Sequence, residues 1–174
     1  GARLGVGPSA RGTCRGDAGA WKAMREKAKL SMVEAIEAGR TACGEGVPYH
    51  AELETDKGRV VFSIDIAQGA KTCNAVIDAT DGKLVEKDVD DDDHSKSVSA
   101  AKPTLVAAIG TAIAFHPGKV VEAKLSRSAE KPLFTVRIVS EDQVVIVEID
   151  GVTGTVLGAP SVAPETRFTE SCRV

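Results

Sequence analysis

The clearest pattern in the chain is an alternation of apolar and polar residues over residues 133–157. Apolar side chains occupy every second position from Phe134 to Ile138, and after a Ser-Glu-Asp-Gln turn the alternation resumes from Val145 to Ile149. A period of two over this length is typical of antiparallel strands with one buried face. The pattern therefore predicts a β-hairpin that forms part of a core.

The hairpin has a counterpart in the first half of the chain. One constant offset aligns Phe62 with Phe134 and Asp78 with Asp150, and both stretches end in an Ile-Asp pair and a glycine turn. Apolar residues at helical spacing over 17–42 and 99–115 predict one continuous helix ahead of each hairpin. We therefore expect an α+β fold of two repeated units, each with one helix and an antiparallel sheet of three to four strands.

The predicted organisation follows from this repeat. Units of about 70 residues bury only roughly 60% of their unfolded surface and are marginal alone, so we expect them to rely on each other or on disulfides. The predicted segments are an N-terminal arm at 1–16, a first repeat at 17–87, an acidic linker at 88–98, a second repeat at 99–158 and a C-terminal tail at 159–174.

Composition narrows the class of protein. The net charge of −3 argues against a general nucleic-acid-binding protein. No apolar run approaches the roughly 20 residues that a membrane-spanning helix needs. Aromatic residues make up only 3% of the chain, so the cores must consist mainly of aliphatic side chains.

The four cysteines, Cys14, Cys43, Cys73 and Cys172, form no CxxC pair. An even number of scattered cysteines favours two disulfides and an exported protein, periplasmic or extracellular. A continuous helix over 17–42 would hold Cys14 too far from Cys43 for a bridge. Two pairings remain: Cys43–Cys73 with Cys14–Cys172, which keeps one bridge within the first repeat and is favoured, or Cys14–Cys73 with Cys43–Cys172. A terminal cysteine could also bond to a neighbouring molecule.

The acidic linker carries the densest charge in the chain. Consecutive aspartates repel one another, and a solvent-exposed linker is one explanation for them. Clustered carboxylates are also the ligands that hard cations prefer, although the EF-hand spacing is absent. The candidate metal ligands are Asp88, Asp90, Asp91, Asp92, Asp93 and His94.

Catalytic motifs are absent from the sequence. It contains no glycine-rich phosphate loop, no G-x-S-x-G elbow and no H-E-x-x-H helix, so no catalytic residue is predicted. Asp78 and Asp150 precede glycine turns and are predicted to accept backbone hydrogen bonds there.

The first strand of each repeat carries alternating charged residues. By this alternation we expect Glu52, Glu54 and Glu122 to face solvent. His50, at the start of the strand that holds Glu52 and Glu54, is expected to be exposed as well.

Both repeats resemble the PepSY domain, which occurs in protease propeptides and many exported bacterial proteins. The first repeat fits more loosely, because Cys43-Gly44-Glu45-Gly46 replaces a His-Pro-Gly corner. Together the matching stretches cover roughly residues 28–157. In the second repeat they are Ala108-Ile109, Ala112-Ile113-Ala114, His116-Pro117-Gly118-Lys119-Val120-Val121-Glu122-Ala123, Ile149-Asp150 and Thr153-Gly154; in the first they are Ala35-Ile36, Ala51-Glu52-Leu53, Ile77-Asp78 and Gly82-Lys83-Leu84-Val85.

The resemblance implies a helix packed on a curved, often cystatin-like, antiparallel sheet. It also implies a binding or inhibitory module without intrinsic catalysis. Some exported tandem members are similar to proteins that bind metal ions, including lanthanides, but no ligand set transfers to this chain residue by residue.

The leading hypothesis is a non-enzymatic, exported tandem PepSY binding protein, whose ligand is calcium, a lanthanide or a protein partner. One alternative is an assembly protein that forms homo-oligomers or filaments through residues 1–14 and the C-terminal tail. Another is a protease-inhibitory or regulatory module that acts in trans.

Overall fold

The computed structural model describes residues 18–163, so Cys14, Cys172, the N-terminal arm and most of the C-terminal tail lie outside the described residues. The helices are α1 (Ala18–Lys27), α2 (Met32–Cys43), α3 (Ser95–Ala100) and α4 (Leu105–Phe115). The strands are β1 (Val47–Asp56), β2 (Arg59–Gln68), β3 (Lys71–Asp78), β4 (Leu84–Asp90), β5 (Lys119–Leu125), β6 (Leu133–Ser140), β7 (Gln143–Asp150) and β8 (Ser161–Val162).

All eight strands belong to one antiparallel sheet, in the order β4-β3-β2-β1-β5-β6-β7-β8. The predicted α+β class is confirmed, but the expected pair of smaller sheets is joined into one. The junction is the pairing of β1 with β5, through His50↔Lys124, Ala51↔Ala123 and Glu52↔Glu122. We call these three register pairs the seam. At the seam, β1 and β5 pair along edges that would otherwise be exposed, with unpaired backbone N–H and C=O groups.

The two halves of the sheet share their strand register at the offset that relates Phe62 to Phe134. Phe62 pairs with Ile77 in the first half, and Phe134 pairs with Ile149 in the second. The irregularity in β1 after Pro48 recurs at the equivalent place in β5, after Val120. The two predicted hairpins therefore have matching strand registers.

The two long helices predicted from the sequence are each interrupted. In the first, Ser31 starts a new helix: its Oγ accepts a hydrogen bond from Glu34 N at 3.2 Å, and Ser31 N donates to Glu34 Oε1 at 3.1 Å. This capping box satisfies free amides at the start of α2, so the chain bends there. In the second, Thr104 caps α4 by accepting from Ala107 N at 3.1 Å.

The core lies between the sheet and the helices. α2 packs on the strands of the first half and α4 on those of the second. Trp21 and Met24 of α1 are buried, as their helical spacing predicted. The disulfide Cys43–Cys73 ties the end of α2 to β3 across a Cα separation of 6.1 Å. This confirms the bridge favoured within the first repeat.

Gly118 provides a test of how β5 approaches β6. Its φ is +159°, and a Cβ atom there would meet Val139 O at 2.6 Å. We expect Gly118→Ala to lower the free energy of unfolding by about 1–3 kcal/mol, because backbone cannot yield as a flexible side chain does. The matched control is Gly110→Ala in α4. An added Cβ atom there would meet no neighbouring element within 4 Å, so the substitution should raise the free energy of unfolding by up to about 1 kcal/mol. Urea unfolding measures the free energy of unfolding of both variants. A Gly118→Ala variant as stable as the parent protein would contradict this close packing of β5 on β6.

Candidate functional site

The seam gathers charged side chains from both halves of the sheet. His50 and Glu52 are alternate residues of β1, so they share one face. Glu122 of β5 lies directly opposite Glu52 in the register. Asp65 of β2 is the register partner of His50 on its other side. Three adjacent strands thus place an imidazole and three carboxylates together.

The imidazole of His50 lies at the centre of this group. Its Nε2 is 3.3 Å from Glu122 Oε2 and 3.6 Å from Glu52 Oε2. Its Nδ1 is 3.2 Å from Asp65 Oδ2. Both ring nitrogens therefore face carboxylates, which is the arrangement that stabilises an imidazolium.

A second layer of side chains orients two of the carboxylates. Asn74 Nδ2 donates to Asp65 Oδ1 at 2.7 Å. Arg137 Nε donates to Glu122 Oε1 at 3.0 Å, and its guanidinium lies 5.6 Å from the ring centroid of Trp21. Asp65 and Glu122 thus each meet a ring nitrogen through one oxygen and are held through the other. Such bonds fix the positions of the acidic groups.

The expectation that Glu52, Glu54 and Glu122 face solvent is wrong. Their exposed fractions are 2%, 4% and 7%. The reason is that β1 and β5, read in isolation as first strands, are the two central strands of the joined sheet. The His50 side chain is also mostly buried, with 20% of its surface exposed.

The surroundings shift two pKa values in opposite directions. Burial alone would lower the pKa of His50, but its hydrogen bonds to Asp65 and Glu122 and its ion pair with Glu52 outweigh burial and raise it to about 11. For Glu122, burial acts to raise the pKa, yet the His50 hydrogen bond and charge lower it to about 2. The cluster therefore combines the imidazolium of His50 with the ionised carboxylate of Glu122, and each charge stabilises the other.

The predicted ligands of the acidic linker are distributed over several structural roles. Asp88 and Asp90 are exposed residues of β4. Asp91 is exposed near Lys71, and Asp93 Oδ1 accepts from Ser95 N at 2.9 Å. These carboxylates point to different partners.

Asp92 and His94 anchor the linker to the sheet. Arg127 Nη2 donates to Asp92 Oδ1 at 2.7 Å, and Asp92 Oδ2 lies 3.1 Å from His94 Nε2. The His94 ring stacks on Tyr49 at a centroid distance of 3.9 Å, and Thr72 Oγ1 donates to Asp92 O at 2.7 Å. His94 is buried as a result, with 8% exposed. Burial also raises the pKa of Tyr49.

The turn aspartates have the role that the sequence predicted. Asp78 Oδ1 accepts from Thr80 N at 2.8 Å, and Asp150 Oδ1 accepts from Val152 N at 2.8 Å and Thr153 N at 2.9 Å. These bonds lower the pKa of both aspartates, the side-chain bond from Thr80 being the largest cause for Asp78 and the Thr153 amide for Asp150. Both residues are structural.

Within residues 18–163, one group of three or more metal-ligating side chains converges. It consists of His50, Glu52 and Glu122, whose ligand atoms all lie within 4.8 Å of one another. The linker residues form no such group, and their metal binding stays a prediction. The sequence signal at the seam is the charged residues at alternate positions of β1 and β5, and this signal does not show that the two strands pair.

The family comparison covers the second half of the chain. Residues 104–159 match the PepSY family model, described as the peptidase propeptide and YPEB domain. The matched region contains Glu122 and excludes His50 and Glu52, so the candidate site extends beyond it. One PepSY domain is therefore found, and the family points to a non-catalytic module.

Structural comparison gives a distant neighbour. It is a crystal structure of a proposed lipoprotein from Clostridium difficile 630, with 19% identity and a TM-score of 0.46 over 80% of this chain and 97% of that chain. A comparison with curated proteins gives no significant match.

In the described part of the chain, no helix has the length and apolar character needed to cross a bilayer.

The seam predicts a specific dependence of stability on pH in the metal-free protein. His50 holds its proton more tightly when folded, so its contribution is complete below its ordinary pKa of 6.5 and is lost as the pH rises toward 11. Glu122 contributes fully above its ordinary pKa of 4.5, and its contribution is lost as the pH falls toward 2. The pair therefore stabilises the fold most strongly between these two ordinary values.

Urea unfolding at a series of pH values, with His50→Gln beside the parent protein, measures this dependence. The difference between the two proteins should be largest near pH 5.5 and should shrink at higher pH, by at most about 1.4 kcal/mol per pH unit for one proton. His116→Gln, which removes a histidine outside the seam, is the matched control and should follow the parent protein. A parent-to-His50→Gln difference that is constant with pH would show that folding does not raise the pKa of His50, which would contradict this account.

Proposed function

We propose that this chain is a non-catalytic, exported module that binds a metal cation at the seam. The observation that supports the proposal is the convergence of His50, Glu52 and Glu122 from two different halves of the sheet. Imidazole nitrogens and carboxylate oxygens are established metal ligands. The site is mostly buried yet reachable, because part of the His50 side chain remains exposed.

The cation takes the place of the proton of His50. In the metal-free cluster that proton joins Glu52 and Glu122 through one ring nitrogen. A cation at the same place would neutralise the same carboxylates and would require neutral imidazole. Affinity for the cation is therefore expected to rise with pH.

Three observations support export and the absence of catalysis. The Cys43–Cys73 disulfide is typical of proteins in oxidising compartments. The PepSY match belongs to a family of propeptide-like and regulatory modules. His50, with its pKa raised to about 11, is already protonated at neutral pH, so it is a poor general base.

The site also fits a duplicated origin of the chain. We infer that the two halves are repeated PepSY units, supported by the constant register offset between them. In that arrangement the ligand site would be formed where two copies of the same strand meet.

The hard-cation hypothesis for the acidic linker remains a separate proposal. It would place calcium or a lanthanide among Asp88, Asp90, Asp91, Asp92, Asp93 and His94. Three of these carboxylates already accept hydrogen bonds, from Asp92 N, Ser95 N and Arg127. Self-association through residues 1–14 and the tail concerns segments outside the described residues and stays a prediction. Inhibition of a protease in trans is supported by the family description alone.

Thermal unfolding of the oxidised, untagged chain tests the proposal. Zinc, calcium and lanthanum are added separately, and at least one should raise the melting temperature. Ligand at 100 times its Kd stabilises a protein by about 2.7 kcal/mol, which corresponds to a shift of roughly 5–10 °C for a chain of this size.

Glu122→Gln should abolish the shift, because it removes one charged ligand. Glu148→Gln makes the same change at an exposed position of β7 and should keep the shift. A shift that survives Glu122→Gln but disappears when Asp90 to Asp93 become Asn would assign binding to the linker instead. No shift with any cation would leave the seam as a structural ion-pair cluster.

A further inference from the structure

We propose that the cation bound at the seam is a borderline divalent ion of the zinc class, held by His50 Nε2 and by one oxygen each of Glu52 and Glu122. This inference rests on the proposed function and specifies its ligand. It departs from the hard cation that the acidic sequence favours.

The spacing of the ligand atoms is the first argument. Nε2 of His50 is 3.3 Å from Glu122 Oε2 and 3.6 Å from Glu52 Oε2. One ligand atom from each of the three residues lies within 4.8 Å of the other two. Zinc lies about 2.0–2.2 Å from nitrogen and oxygen ligands in a tetrahedron, which places neighbouring ligand atoms roughly 3.3–3.6 Å apart. Two of the contacts already have that spacing without an ion.

The number of available oxygens is the second argument. Calcium takes about 6–8 oxygen ligands. At the seam, Glu122 Oε1 accepts from Arg137 at 3.0 Å, and Asp65 Oδ1 accepts from Asn74 at 2.7 Å. These oxygens are committed to protein donors. The converging group offers one ligand atom each from His50, Glu52 and Glu122. With water in a fourth position, this is the ligand set of a zinc site and is smaller than the set that calcium takes.

The third argument is the group on the far side of the imidazole. Asp65 Oδ2 lies 3.2 Å from His50 Nδ1. When the imidazole is neutral, this carboxylate favours a proton on Nδ1 and leaves the Nε2 lone pair free for a metal. Metal-bound histidines nearly always have such a partner, and it raises their basicity as ligands. Asp65 is therefore a positioning residue for the site, itself held in place by Asn74.

The site is also shared between the two halves of the sheet. β1 supplies His50 and Glu52, and β5 supplies Glu122. The protein therefore needs the seam to be formed before all three ligands meet.

Calorimetric titration of the metal-depleted, oxidised, untagged chain tests the proposal. Zinc should bind with one ion per chain and at least 100-fold more tightly than calcium or lanthanum. Cobalt(II), added as a spectroscopic probe, should give the intense visible absorption of four-coordinate geometry. A merely structural cluster would not produce that spectrum.

Variants assign the binding to named residues. His50→Gln and Glu122→Gln should abolish zinc binding and the cobalt spectrum. Asp65→Asn keeps all three ligands and should weaken zinc binding by roughly 10–100-fold, as is usual for a partner of a ligand. The matched controls are His116→Gln, Glu148→Gln and Asp88→Asn, and each should bind like the parent protein. Melting temperatures of the metal-free variants show which of them are folded.

The outcomes separate the two claims. Calcium or lanthanum binding that is lost in Glu122→Gln, with no preference for zinc, would overturn the zinc assignment and keep the proposed function. Absence of binding by any cation would overturn both. Zinc binding that Asp65→Asn leaves unchanged would overturn the positioning role of Asp65. A cobalt spectrum of six-coordinate type would contradict the tetrahedral arrangement of His50, Glu52 and Glu122 around the ion.

Discussion

The pairing of β1 with β5 is the interaction on which the rest of the structure depends. Three register pairs join two four-strand halves into one sheet. The same pairs bring His50 and Glu52 against Glu122 in a mostly buried place. Buried charges are costly unless they are paired and hydrogen-bonded, so the seam requires that its charges match.

Opposite charges meet at the seam because the two halves of the sheet, which share their strand register, carry different residues at equivalent positions. At the offset that relates Phe62 to Phe134, His50 corresponds to Glu122, and Asp65 corresponds to Arg137. Each pair combines a basic group with an acidic one. Identical residues at these positions would place like charges beside each other, which destabilises neighbouring strands. Differences between the two halves at the seam, more than in the hairpins, therefore give this chain its specific chemistry.

Much of the fold could be predicted from the sequence, because local patterns decide it. Alternation placed the hairpins, and the spacing of the cysteines favoured the Cys43–Cys73 bridge that the structure contains. The interruptions of the two predicted helices depend on the N-caps Ser31 and Thr104. The apolar periodicity continues across both caps, so the sequence pattern does not show that a new helix begins there. The seam site could not be predicted, because it depends on pairing between strands that lie far apart in the chain. Alternation alone says which residues share a face, and the joined sheet decides whether that face is buried.

Anomalous diffraction at the zinc edge, from crystals of the metal-depleted protein soaked in zinc, tests the central claim most directly. The account predicts one strong peak bounded by His50 Nε2, Glu52 and Glu122, at about 2.0–2.2 Å from each ligand atom. A peak at the acidic linker, or an empty seam with the His50 ion pairs intact, would contradict it.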